Sequence, residues 1–188
     1  MAPILALRVI LTALVICSPA FALWPLPKDL QSGSKALRLA DNFDIQLSVQ
    51  GAPADLKAAV TRTKGYLKTD KLQRLVVGRG ENDRAAIKSA KELSSLTVSL
   101  TSSGTVRSIS EEAMDALEDR IEGYSLTVPG DGSAASLKAN STLGLFRGLT
   151  TFGQLWYEFD DITYTLEAPI QIKDAPAYVC FRILMSTP

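Results

Sequence analysis

Across residues 142–157, Leu145, Leu149, Phe152 and Trp156 recur in steps of four, three and four, which sets them on one stripe of an α-helix. Two of the four are large aromatics, and burying each such side chain is worth roughly 1.5 to 3 kcal/mol of transfer free energy. A stripe of this kind is stable only under a second layer, so this helix obliges the rest of the chain to build one.

Strand-like segments supply the cover. Phe43, Ile45, Leu47 and Val49 alternate with Asp44, Gln46 and Ser48, and the order LTVSLT does the same over residues 96–101. Residues 124–128 (YSLTV) and 136–139 flank Pro129-Gly130-Asp131-Gly132 as a hairpin. Tyr164 and Leu166 alternate with Thr163, Thr165 and Glu167, and Ile170-Gln171-Ile172 repeats the pattern beyond Pro169. Period-two alternation marks half-buried strands, and the glycine-rich link marks a turn. A second amphipathic helix follows Pro53, with Leu56, Ala59, Val60, Thr63 and Leu67 at helical intervals. Residues 72–77 are a further strand candidate ended by Gly78 and Gly80, and residues 81–91 read as exposed helix or loop. Residues 111–122 are an acidic, helix-prone excursion stopped by Gly123. The predicted class is α+β, a mostly antiparallel sheet with two helices on one face.

Composition mainly excludes. At 46% hydrophobic and 21% charged, the 188 residues suffice for one ordinary globular core. Lys+Arg and Asp+Glu number 20 each, so neither a nucleic-acid footprint nor a polybasic membrane patch is indicated. Histidine is absent, which removes the commonest general base and the commonest metal ligand together. Two cysteines, Cys17 and Cys180, are too few for a zinc site or a disulfide framework. No cofactor and no metal are expected, and any chemistry would rest on carboxylates.

Residues 1–22 have the three parts of a secretory signal: Arg8 as the positive charge, the apolar run VILTALVIC, and Ala20-Phe21-Ala22 around a cleavage point. The run is well short of the ~20 apolar residues that a membrane span needs. The chain is thus expected to be secreted, free of the membrane after cleavage, with Cys180 as its remaining thiol. Trp24-Pro25-Leu26-Pro27 reads as an extended leading segment. Asn140-Ser141-Thr142 is the sole Asn-x-Ser/Thr sequon, so Asn140 is a candidate glycosylation site, while Asn140 or Ser141 also suits the N-cap of the helix that follows.

Other candidates for chemistry are weaker. Gly78-Arg79-Gly80 resembles part of a phosphate loop, but Asp83 stands where a third glycine would be and no Gly-Lys-Ser/Thr follows, so it reads as a turn. Asp160-Asp161 and Glu111-Glu112 are adjacent carboxylates in polar stretches. Acid-base work needs carboxylates on opposite sides of the bond they act on, so both pairs read as solvated surface. For Trp156-Tyr157 as a sugar-stacking platform, helical phase sends Trp156 into the core and Tyr157, about 100° further round, to the rim. No catalytic residue is assigned.

The string Leu143-Gly144-Leu145-Phe146-Arg147-Gly148-Leu149-Thr150-Thr151-Phe152-Gly153-Gln154-Leu155-Trp156-Tyr157 closely resembles a helix of fungal β-N-acetylhexosaminidases, members of glycoside hydrolase family 20. Residues 124–128 before it, Tyr164-Thr165-Leu166-Glu167-Ala168-Pro169-Ile170 after it, and Trp24-Pro25-Leu26-Pro27 as a mature start stand in the family's order. The resemblance implies a helix-on-sheet domain ahead of a (β/α)8 barrel. In the family that barrel holds an Asp-Glu pair and performs substrate-assisted hydrolysis, with the 2-acetamido group as nucleophile. It further implies a signal peptide at 1–22, the helix-on-sheet domain at 23–173, and a divergent lead into a missing barrel at 174–188. Asp174-Ala175-Pro176-Ala177-Tyr178 resembles that lead, but Val179-Cys180-Phe181-Arg182 replaces the family's Pro-Tyr-Arg-Gly-type run. Val-Cys can be encoded by GTATGT, the usual start of a fungal intron, so residues 179–188 are expected to be translated intron. Aligning Arg182 with the family's sugar-binding arginine needs a one-residue insertion, which leaves it as the single candidate for substrate contact. The implied role is a non-catalytic part of an enzyme that removes terminal β-linked N-acetylhexosamine from chitin oligosaccharides or glycans, packed on that enzyme's barrel. The alternative is a free-standing secreted carbohydrate-binding or domain-assembly module, using the sheet surface for contact.

Overall fold

In the computed structural model residues 23–69 and 78–175 are described. The leader, the strand expected over 72–77, Cys180 and Arg182 lie outside the described residues.

Strand β1 (Asp29–Ser48) serves two parts of the sheet. Its first half pairs antiparallel with β6 (Ile162–Asp174), from Asp29 opposite Lys173 to Arg38 opposite Tyr164. Its second half pairs parallel with β2 (Lys91–Leu100), as far as Ser48 opposite Ser99. Leu39 faces Leu93 while Asp44 faces Ser95, so β1 bulges between them and bends. β2 pairs with β4 (Ala135–Ala139), β4 forms the expected hairpin with β3 (Tyr124–Val128), β3 pairs with β6, and β5 (Tyr157–Phe159) closes the edge on β6. The order is β1-β2-β4-β3-β6-β5, with β1 also joined to β6. The β1–β2 and β2–β4 pairings are parallel and the others antiparallel, which gives the mostly antiparallel α+β sheet that the alternation predicts.

Two of these strands begin earlier than their apolar patterns suggest, at Asp29 rather than Phe43 and at Lys91 rather than Leu96. Their first residues are mostly exposed on both faces, so main-chain pairing holds them and no alternation is written into the side chains.

Helices α1 (Ala54–Thr69) and α4 (Thr142–Gln154) lie together on one face. Short helices α2 (Arg84–Ser89) and α3 (Ile109–Ala113) and a 3-10 turn at Leu117–Asp119 occupy the connections. Leu145, Leu149, Phe152 and Trp156 are all within 1% of full burial. They meet Leu37, Phe43, Leu96, Leu126 and Leu137 of the sheet and Leu56, Val60 and Leu67 of α1 in one core. Phe152 stacks on Phe43 at 6.0 Å and meets Trp156 edge-on at 5.4 Å. Helix α4 ends at Gln154, short of the expected Tyr157, because Tyr157 opens β5 opposite Tyr164.

Side chains on the other face of the sheet form two polar rows across the strands. Gln46, Thr97, Ser136, Thr127, Gln171 and Gln31 make one, and Ser48, Ser99, Lys138, Ser125, Lys173 and Asp29 make the other. None of the twelve is buried.

The approach of α4 to the sheet depends on glycine. A Cβ at Gly148 would overlap the fully buried Leu137, and one at Gly144 would lie 2.5 Å from the Gly123 carbonyl oxygen. Gly148→Ala is therefore expected to lower the unfolding free energy by about 1–3 kcal/mol through overpacking. Gly153→Ala, where nothing lies within 4 Å of the added carbon, should be neutral or stabilising by up to about 1 kcal/mol. Urea unfolding of the two variants side by side measures the contrast.

Candidate functional site

Helix α3 fixes the starts of both long helices. The Asp55 carboxylate, at the head of α1, accepts from the Ser110 amide at 3.0 Å and the Ser110 hydroxyl at 3.1 Å. Glu112 accepts from the Leu143 amide at 2.6 Å and lies 2.9 Å from the Thr142 hydroxyl at the head of α4. Ser141 is the N-cap of α4, accepting from the Gly144 amide at 2.9 Å. Farther along α4, Arg147 Nε donates at 2.7 Å to the buried Glu122 carboxylate, and the Tyr124 and Thr151 hydroxyls are 2.6 Å apart. At its end the Gln154 amide clasps the leading segment, accepting from the Trp24 amide at 2.8 Å and donating to the Trp24 carbonyl at 3.0 Å.

Both helix heads touch α3 and both tails meet around Tyr66 and Gln154, so α1 and α4 run side by side in the same direction. A groove of about 360 Å³ lies between them. Ala59, Leu67 and Leu149 are its buried floor, and Arg62, Tyr66, Phe146 and Thr150 are among its walls. Tyr66 is 55% exposed, and Trp24, held by Gln154 at the groove's end, is 85% exposed. Met114, Leu117 and Ile121 add exposed apolar surface near the heads of the helices. Among the described residues, exposed apolar side chains such as Tyr66 line the groove on the helix side, whereas the two rows on the sheet face, which the sequence reading favours for contact, are polar. A second cavity, of about 300 Å³, is lined by Arg38, Asp41, Lys64, Lys68, Glu92 and Asp161. Arg38 there pairs with Glu92, and Lys64 with Asp44, whose carboxyl is held below its ordinary pKa by that hydrogen bond.

Residues 23–155 match the family described as beta-acetyl hexosaminidase like. The chain belongs to that family, the amino-terminal domain of family 20 hexosaminidases. It is 30% identical over 187 residues to the beta-hexosaminidase subunit beta of Mus musculus, a match covering 94% of this chain and 32% of that protein. It is also 30% identical over 178 residues to the chitooligosaccharidolytic beta-N-acetylglucosaminidase of Bombyx mori, covering 92% and 27% respectively. The chain thus spans about a third of the length of these relatives. Its fold is similar to part of the chitobiase of Flavobacterium johnsoniae, with a TM-score of 0.56 at 21% identity over 84% of this chain and 21% of that one.

In this hexosaminidase-like domain the carboxylate pairs have local structural duties. Glu111 completes a capping box with Ser108 at the head of α3, and Glu112 caps α4. Asp160 and Asp161 form the β5–β6 turn with φ of 51° and 62°, and Asp160 pairs with Arg84 at 3.0 Å on the surface. Gly78 and Gly80 turn with positive φ, as expected. Arg79 between them lies 3.7 Å over the Tyr157 ring. Tyr157 is 2% exposed and packs against Tyr164 at 6.0 Å, which removes it as a rim aromatic; helical phase stops applying once the chain leaves α4. Asn140 stands exposed just past β4. Sequence reasoning misses Tyr66 and Gln154 as groove residues, since nothing in their spacing distinguishes them from an ordinary polar helix face.

Two predictions follow from this geometry. Glu112→Ala removes the α4 head contact and should destabilise the domain by about 1 kcal/mol, read as a shift in the chemical-denaturation midpoint. Burial pushes Tyr124 up to about 12 and raises Tyr164 as well. The unfolded chain gives up these protons first, near pH ~10, so stability should fall as pH rises from there towards about 12. Unfolding curves at stepped alkaline pH, with Tyr124→Phe showing a smaller decline, measure it.

Proposed function

We propose that residues 23–173 act as the non-catalytic amino-terminal domain of a secreted β-N-acetylhexosaminidase, seating the α1/α4 face on a catalytic barrel. The whole enzyme would remove terminal β-linked N-acetylhexosamine from chitin oligosaccharides or glycans. What supports this is the apolar groove around Tyr66 and Phe146, with the main chain of Trp24 tied to Gln154 at its end. An exposed aromatic beside an apolar cleft is the kind of feature that anchors a protein contact. A glycosidase must also hold separated carboxylates about its bond, whereas the adjacent acidic pairs here hold helix heads and a turn. The alternative, a free-standing carbohydrate-binding module, draws on the polar rows of the sheet; these present hydroxyl and amide groups but no aromatic face for a sugar ring.

Mixing the full chain with a separately produced family 20 barrel tests the proposal. The expected outcome is a stable complex that loses at least tenfold in affinity with Tyr66→Asp, about 1.4 kcal/mol, and no turnover of a chromogenic N-acetylglucosaminide by the chain alone. Binding of chito-oligosaccharides by the chain without a barrel would favour the module instead.

A further inference from the structure

We propose that Asn140 carries an N-linked glycan and that it can be attached only before α4 docks. The inference rests on the secreted reading above. Asn140-Ser141-Thr142 is the sole Asn-x-Ser/Thr sequence in the chain. The structure divides its three residues sharply. Asn140 is exposed beyond the last residue of β4; its side-chain carbonyl accepts from the Thr101 hydroxyl and its main-chain carbonyl from the Ser102 hydroxyl at 2.8 Å. No hydrogen bond among the described residues occupies its amide nitrogen. The side chain is thus exposed with its carbonyl oxygen tied to Thr101.

The other two residues are withdrawn. Ser141 is 6% exposed, donating to the Ile121 carbonyl and capping α4. Thr142 is fully buried, its hydroxyl 2.9 Å from both the Arg107 carbonyl and the Glu112 carboxylate. A glycosyltransferase that reads the sequon must reach this hydroxyl, and in the folded domain it cannot. In the transfer, the Asn140 amide nitrogen attacks the anomeric carbon of an oligosaccharide carried on a polyprenyl diphosphate. The carbon–oxygen bond to the diphosphate breaks, the carrier leaves with that electron pair, and the nitrogen loses one proton. Once α4 has packed on the sheet, an unmodified Asn140 stays unmodified. The glycan stands at the head of α4, whose 13 residues place it roughly 20 Å from the Gln154 end of the groove.

The full chain, behind its own leader and separately behind a leader of known efficiency, is translocated into endoplasmic-reticulum microsomes. Translocated wild-type chain should show one glycosidase-sensitive mass increment, with Asn140 recovered as aspartate after deamidating release, and Asn140→Gln should show none. In a second arm, folded chain from a bacterial host is offered to purified oligosaccharyltransferase and its lipid-linked donor, beside a synthetic peptide of residues 137–146. The peptide should be modified and the folded chain at least tenfold less. Translocated wild-type chain without the increment, or a folded chain modified as readily as the peptide, overturns the inference. Translocation by the borrowed leader alone counts against secretion, while modification of Asn140 in that same product still supports the site.

Discussion

The close contact between α4 and the sheet organises everything else. It is made possible by the missing side chains of Gly144 and Gly148, which let the helix backbone settle against Gly123 and Leu137, and its energy comes from Leu145, Leu149, Phe152 and Trp156 filling the space on either side. Interiors packed to crystalline density tolerate little adjustment at such a surface. Polar links then fix the helix along its length, with Glu112 at its head, Glu122 through Arg147 in its middle, and Trp24 through Gln154 at its end. These residues, all within the span that matches the family or next to it, hold the layers in register.

With α4 fixed, the two sides of the domain take on opposite characters. The sheet turns ordered rows of serine, threonine, glutamine and lysine to solvent, where pairing across strands suits an exposed antiparallel face. The helix side keeps an apolar groove in view, and large apolar patches on a soluble domain usually mark a place of contact. Polarity across a thickness of two layers is enough to give the domain one face suited to contact and one suited to solvent.

Much of this was written in local pattern. The α4 stripe, the α1 intervals and the β3–β4 hairpin are legible because burial on one side imposes a period on the residues. The first half of β1 was not, because Gln31, Ser32 and Lys35 are held by main-chain bonds to β6 and face solvent. Tyr157 falls outside the helical phase because the chain has left α4 and entered β5 there. The roles of Glu111 and Glu112 were hidden for another reason: whether a carboxylate caps a helix or meets water depends on which distant segment it is brought beside. At the candidate site, Phe146 and Leu149 were visible within a helix, but the groove exists only once α1 lies alongside, which no local pattern specifies.

The double pairing of β1 ties the first described strand to the last, with Asp29 opposite Lys173. As the polypeptide leaves the ribosome, the first half of that strand has no partner until some 140 further residues have been made, and contacts of such long range form late. During synthesis an open strand edge must wait, exposed to other chains or to chaperones. The delay leaves the sheet unclosed until its last long strand has been made.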